Sequence, residues 1–316
     1  MRILITGGAG FIGSQLTNKL LHEGHTILCL DNLSCSSGEN IAPFMGDPLF
    51  RFINADVCDP LLFHDVDHIY HLACPASPVW YSKDPVKTMM TSVVGTKNVL
   101  DLAARTGARV LFTSTSEVYG DPLVHPQPET YTGNVSITGP RACYDEGKRA
   151  AETLCADYIR RTGVDVRVVR LFNTYGPNMA YNDGRVISNF ITQALEGNSL
   201  TIYGDGKQTR SFCYISDMLE MLANVMGSNI RDIGPINLGN PAECTIWEIA
   251  SLVRELVPTL PDFTHKALPL DDPKVRQPDL TKYNTLFGRR SYVSLIEGIK
   301  NTISYFQQYD KYALHP

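Results

Sequence analysis

At 316 residues, with 43% hydrophobic and 19% charged side chains, the chain has the composition of an ordinary globular protein, and its length allows one large domain or two modest ones. A net charge of −5 excludes a general attraction to nucleic acid or anionic membrane, so an anionic ligand must be held by cations gathered locally. No apolar run approaches the roughly 20 residues of a membrane span, and no signal-peptide core precedes the first strand. The eight cysteines form no C-x-x-C pair, and the eight histidines are scattered, His64 and His68 being the one pair in H-x-x-x-H spacing. We therefore expect buried free thiols in a reducing, cytoplasmic setting, and no metal.

In chain order, residues 3–6 read as a strand, 11–23 as a helix, and 26–30, 50–54 and 68–73 as strands. Helical spacing follows over 85–105, a strand over 109–113, a helix over 144–161 and a strand over 164–171. Strands alternating with helices predict a parallel sheet covered on both faces. After Gly176-Pro177 the texture changes. A helix over 185–195 leads to a strand over 200–203, a glycine-rich turn and the apolar run 212–215. A helix over 245–256, a Pro-rich stretch over 258–278 and a helix over 294–307 complete the chain. The expected fold is α/β: a Rossmann-type doubly wound parallel sheet over 1–171 with a returning segment near 211–237. A smaller, discontinuous α/β substrate-binding lobe is expected from 172–210 and 238–316.

Gly7, Gly10 and Gly13 stand between the first strand and the first helix. Glycines there let the backbone turn tightly and approach a pyrophosphate, which rests on the N–H groups of a helix start at Phe11 and Ile12. Asp31 ends the second strand, where a carboxylate accepts hydrogen bonds from ribose hydroxyls and repels a 2′-phosphate. Residues 32–40 contain no Arg or Lys, so NAD is expected rather than NADP. Asp56 and Val57, after the third strand, are placed to meet the adenine.

Tyr144 and Lys148 lie one helical turn apart on one face. The spacing alone is unspecific; its position after the strand 109–113 and the run Thr113-Ser114-Thr115-Ser116-Glu117 makes it a candidate catalytic pair. Bringing a phenol from pKa 10 towards 7 takes about 4 kcal/mol, within reach of a close lysine and a nicotinium ring in a closed site. Thr115 is expected to hydrogen-bond the substrate oxygen.

Taken together, G-G-A-G-F-I-G (7–13), S-T-S-E-V-Y-G (114–120), the Arg141 segment leading into Tyr144, F-N-T-Y-G-P (172–177), D-G-R-V-I-S-N-F (183–190) and Y-G-D-G-K-Q-T-R-S-F (203–212) resemble the UDP-glucuronate decarboxylases. These are a branch of the extended short-chain dehydrogenases/reductases. Pro75-Ala76-Ser77-Pro78 is a further specific signal. The resemblance implies that Asn32, Leu72, Thr174 and Arg185 join the cofactor site. It also implies that Asn98, Asn173, Asn189, Tyr203, Arg210 and Arg276 bind substrate, the two arginines holding the diphosphate and sugar.

The implied reaction oxidises C4, loses CO2 from the resulting β-keto acid, and returns the hydride to give UDP-xylose, with Glu117 positioning or protonating at C5. Met90 stands where the family commonly has a substrate-associated Lys, with Lys87 nearby. The loop after Asp31-Asn32 also lacks basic residues often seen there. The alternatives are a UDP-sugar 4-epimerase, a decarboxylase releasing the UDP-4-keto-pentose, and a non-catalytic NAD-binding scaffold. The family is typically a homodimer through helices near 90–105 and 144–161.

Overall fold

The structure, a computed structural model, describes residues 1–231, 233–258, 262–268, 273 and 275–308. Parts of the Pro-rich stretch, including Asp271, Asp272 and Lys274, and the end of the expected lobe at 309–316 lie outside the described residues.

Seven strands form one parallel sheet: β1 (Arg2–Thr6), β2 (Thr26–Asp31), β3 (Phe50–Asn54), β4 (His68–His71), β5 (Arg109–Thr115), β6 (Val166–Leu171) and, past two helices and four short strands, β11 (Ile236–Leu238). Their order is β11-β6-β5-β4-β1-β2-β3. The order reverses between β1 and β4, and a crevice at the carboxyl ends of strands at such a switch point is where this architecture takes a ligand.

Why the strands read as nearly unbroken apolar runs follows from the layers. Ile3, Ile5, Ile27 and Cys29 face one core with Leu16 and Leu20 of α1 (Phe11–His22), while Leu4, Leu28 and Leu30 face the other. Both faces are covered, so the period-two alternation of the pleat is hidden in the sequence. Each fully buried aliphatic side chain contributes about 1.5–3 kcal/mol.

The second face carries α4 (Thr96–Thr106) and α5 (Ala142–Thr162), through Val99, Leu100, Ala103, Ala151 and Cys155. Short helices α2 (Pro78–Tyr81) and α3 (Pro85–Met90) precede them. The single helix expected over 85–105 is instead α3 and α4 joined by a π-helical turn at Thr91–Gly95. There Thr91 donates its hydroxyl to the Lys87 carbonyl, and Gly95 lies so close to Val57 that a Cβ would sit 2.6 Å from it. A local register shift of this kind leaves no mark on hydrophobic spacing.

The chain then crosses to a smaller lobe through β7 (Thr174–Tyr175), α6 (Val186–Leu195), β8 (Leu200–Tyr203), β9 (Thr209–Ser211) and β10 (Cys213–Tyr214). It returns as α7 (Ile215–Gly227) and β11, and Met218, Leu222 and Val225 join the core of α1. The lobe resumes with β12 (Glu243–Thr245), α8 (Ile246–Leu256) and β13 (Phe263–Lys266); α9 (Thr281–Phe287) follows, and α10 (Leu295–Gln307) returns to the lobe. Its core gathers Ile187, Phe190, Ile249, Val253, Ile299 and Phe306. Thr245 and Glu248 form a reciprocal capping box, worth about 1 kcal/mol. Within the 238–316 stretch expected in the lobe, α9 packs instead on the sheet side: Tyr283 is in the α1/α7 core and accepts a hydrogen bond from Asn224.

Among the described residues, no helix is long and apolar enough to cross a membrane.

Candidate active site

A continuous cavity of about 710 Å3 opens at the carboxyl end of the sheet and runs from the glycine loop to Arg210. Gly7, Gly10, Phe11, Ile12, Gly13, Asp31, Asn32, Asp56, Val57, Leu72, Thr174 and Arg185 all line it. The loop between β1 and α1 admits no side chain at two of its positions. Gly7 has φ +72° and a Cβ there would approach the Ala73 backbone nitrogen to 2.8 Å; at Gly13 a Cβ would stand 2.2 Å from the Gly7 carbonyl oxygen. A bare-backbone turn of this kind, at a helix start, fits a dinucleotide pyrophosphate.

Asp31 accepts hydrogen bonds from the Ala9 and Leu33 amides, at 3.0 and 2.9 Å, which fixes its carboxylate at the cavity wall. Each oxygen retains a lone pair for a ribose hydroxyl. Asp56 is more fully engaged: it accepts from Lys87 at 2.7 Å, from the Asn32 amide at 2.9 Å and from the Cys58 backbone. Burial raises its pKa, but these donors prevail and hold it at about 2. Lys87 is therefore committed to the nucleotide end. Met90 does not line the cavity, so a cation is not missing from the wall at that position.

At the other end lie Thr115, Glu117, Tyr144 and Lys148. The carboxyl end of β5 presents Thr115, and the first turns of α5 present Tyr144 and Lys148. Thr115 favours the ionised form of the neighbouring Tyr144 phenol, but burial outweighs it. Lys148 donates to the Thr113 carbonyl at 2.8 Å, with its ammonium 4.9 Å from the Phe112 ring centroid. Tyr81 stacks on Tyr144 with centroids 5.4 Å apart and planes within 8°. Burial pushes the Tyr144 phenol up and the Lys148 ammonium down. The direction for the tyrosine is thus opposite to the lowering expected from sequence. In the protein alone the phenol is neutral, and its use as a base requires further positive charge in the closed site.

Glu117, in the 3-10 turn Ser116–Tyr119, meets two guanidinium groups: Arg141 donates to its Oε2, and so does Arg276 at 3.3 Å. Burial raises its pKa, but Arg276, Arg141 and Arg210 outweigh burial and hold it at about 2. Of the two roles expected for Glu117, positioning fits this carboxylate, whereas an ionised group has no proton to give C5.

Two expected substrate residues are placed elsewhere. Arg276 is buried behind Glu117, where it also donates to the Ser116 and Gly120 carbonyls, so it is committed to the protein and does not line the cavity. Asn98 donates its amide to the carbonyls of Val57, Cys58 and Asp59 and pins the β3–β4 connection. Asn173, Asn189, Tyr203 and Arg210 do line the cavity. Arg210 is steadied by the Thr209 and Pro273 carbonyls, at 2.8 and 2.5 Å, and Arg185 by two bonds to Asp183 at 2.5 and 2.8 Å.

Sequence reasoning did not single out Tyr81 or Cys74, both lining the cavity, or Asp183 behind Arg185. The D-G-R spacing could have suggested the last pair; nothing local announces the Tyr81 stack.

The profile of the NAD dependent epimerase/dehydratase family matches residues 3–239. UDP-glucuronic acid decarboxylase 3 of Arabidopsis thaliana is 54% identical over 300 residues, covering 95% of this chain and 87% of its own. UDP-glucuronic acid decarboxylase 1 of Xenopus tropicalis is 52% identical over 307 residues, covering 97% and 72%. Among solved structures, UDP-glucuronic acid 4-epimerase from Bacillus cereus, in complex with UDP-glucuronic acid and NAD, superposes with a TM-score of 0.88 at 28% identity, covering 98% of this chain and 99% of that one.

Proposed function

The chain belongs to the NAD dependent epimerase/dehydratase family, and from that premise we propose that it converts UDP-glucuronate to UDP-xylose and CO2 with NAD as its resident cofactor. The glycine loop at Gly7, Gly10 and Gly13 and the Asp31 carboxylate would hold NAD at that end of the cavity, where it would supply reversible hydride chemistry at C4. The chain's own groups do the rest. Tyr144 takes the proton of the C4 hydroxyl and later restores it. Lys148 keeps the local potential positive, and Thr115 holds the C4 oxygen against the phenol.

Oxidation at C4 turns the C5 carboxylate into a β-keto acid, whose C–C bond breaks with its electron pair passing into an enolate. Glu117, fixed by Arg141 and Arg276, orients the ring so that this bond aligns with the carbonyl. Its negative charge disfavours the anionic carboxylate relative to neutral CO2. Arg210 serves the diphosphate, with Asn173 and Asn189 beside it, Arg185 belongs to the cofactor side, and Tyr203 flanks the uracil. Residues 172–210 and the parts of 238–316 that pack with them act as the substrate lobe, and 1–171 with the returning segment 211–237 as the NAD domain.

The observation carrying this reading is the ionised Glu117 held by arginines at the Tyr144 end of the cavity. With NAD present, proton NMR is expected to show UDP-xylose forming from UDP-glucuronate and no change in UDP-glucose. UDP-galacturonate from the first, or UDP-galactose from the second, would establish an epimerase instead.

The working unit is a homodimer: Val86, Met89 and Met90 of α3 are exposed apolar side chains beside α5, which suits a helix-to-helix contact with a second copy. The eight cysteines are all free, which supports a reducing, cytoplasmic setting.

A further inference from the structure

Decarboxylation consumes a proton. The carboxylate leaves as neutral CO2, and the electron pair left in the enolate must be closed by H+ at C5. The groups assigned so far do not supply it. Tyr144 takes a proton from the C4 oxygen and returns it there. Lys148 is spent on the Thr113 carbonyl, and Glu117 is ionised.

Behind Glu117 lies a second cavity, of about 230 Å3, lined by Glu117, Gly120, Asp121, Asn134, Arg141 and Asp145, among others. Glu117, Arg141 and Pro273 line both cavities and so form the partition between them. Asp121, Asn134 and Ser136 are exposed, which puts the far end of the smaller cavity at solvent. The space is polar and roomy enough for water.

Asp145 occupies the first turn of α5, immediately after the candidate base. A carboxylate there is ordinarily explained by the helix dipole. This one is 7% exposed, and its Oδ1 is buried without a hydrogen-bond partner. A buried carboxyl with an unpaired oxygen is costly as an anion and is relieved by carrying a proton.

The charged and titratable groups around it agree. Burial, then the Glu117 carboxylate, push Asp145 up to about 7; Arg141 and Arg276 oppose, and Glu146 adds to the rise. Tyr81 and Cys143 are the neutral neighbours.

We propose that the second cavity is the proton supply for C5 and that Asp145 is its relay, acting across the Glu117–Arg141 partition rather than by touching the sugar. The Asp145 O–H breaks, a proton passes through water to C5, and the enolate pair forms the C5–H bond. The carboxylate left beside Glu117 is a like-charge neighbour, which favours its reprotonation from the solvent end.

The test is Asp145→Asn in the NAD-loaded enzyme with UDP-glucuronate. Wild-type kcat is expected to fall as pH rises through about 7, since the acid form is the one required. In the variant that limb is expected to vanish and kcat to drop about 100-fold, with KM nearly unchanged. In a single turnover, reduced cofactor is expected to appear at the wild-type rate and to decay slowly. Asp145→Glu, which keeps the acid, is expected to retain an alkaline fall.

Wild-type kcat and limb in Asp145→Asn, an equal loss in the C4 oxidation step, or a pH-independent Asp145→Glu would each overturn the relay. The inference rests on the decarboxylase reading. A wild-type enzyme forming no UDP-xylose defeats that reading, whereas Asp145→Asn turning over like wild type defeats only this one.

Discussion

Tyr144→Phe is expected to lower kcat by at least about 1,000-fold while leaving UDP-glucuronate affinity within about twofold. The hydroxyl is the group that takes the C4 proton, and that interaction belongs to the transition state, so its removal appears in kcat. Phenylalanine keeps the ring and hence the stack on Tyr81, with centroids 5.4 Å apart, so the loss is chemical rather than structural. Rapid-quench rates with calorimetric substrate binding separate the two quantities. A variant retaining more than about a tenth of wild-type kcat would remove Tyr144 from the role of base.

Gly13→Ala carries the second large effect, on the cofactor. The new methyl would stand 2.2 Å from the Gly7 carbonyl oxygen and 2.7 Å from the Gly8 Cα, both backbone atoms of the loop itself. Relief requires the loop to move away from α1, which spoils the cradle of N–H groups meant for the pyrophosphate. NAD affinity is expected to weaken at least about 100-fold, equivalent to about 2.7 kcal/mol. Calorimetry of NAD binding reads this directly, and an affinity within about threefold of wild type would mean that the pyrophosphate lies elsewhere.

The sheet was legible because its strands are short apolar runs punctuated by glycines and helices, and the order of chemistry along the chain followed from that. The glycine loop, Asp31 and the Tyr144/Lys148 pair are local signals, each readable within a few residues. Less legible was whatever depends on distant partners. The ionisation of Glu117 is set in part by Arg276, 159 residues away, whose commitment to the Ser116 and Gly120 carbonyls removes it from the cavity wall. Asn98, expected at the substrate, is taken up by carbonyls about 40 residues earlier in the chain. The two-residue strands β7 and β10 and the break at Thr91–Gly95 are set by tertiary pairing and close packing, which hydrophobic period does not encode.

The reaction itself leaves an isotopic record that distinguishes every alternative. With UDP-glucuronate and NAD in heavy water, the enzyme is expected to give UDP-xylose carrying one deuterium at C5 and none at C4. The C5 hydrogen comes from solvent, while the C4 hydrogen leaves and returns as hydride. No net NADH should accumulate. Deuterium at C4, a six-carbon uronate product, or a free 4-keto-pentose with stoichiometric NADH would contradict the account.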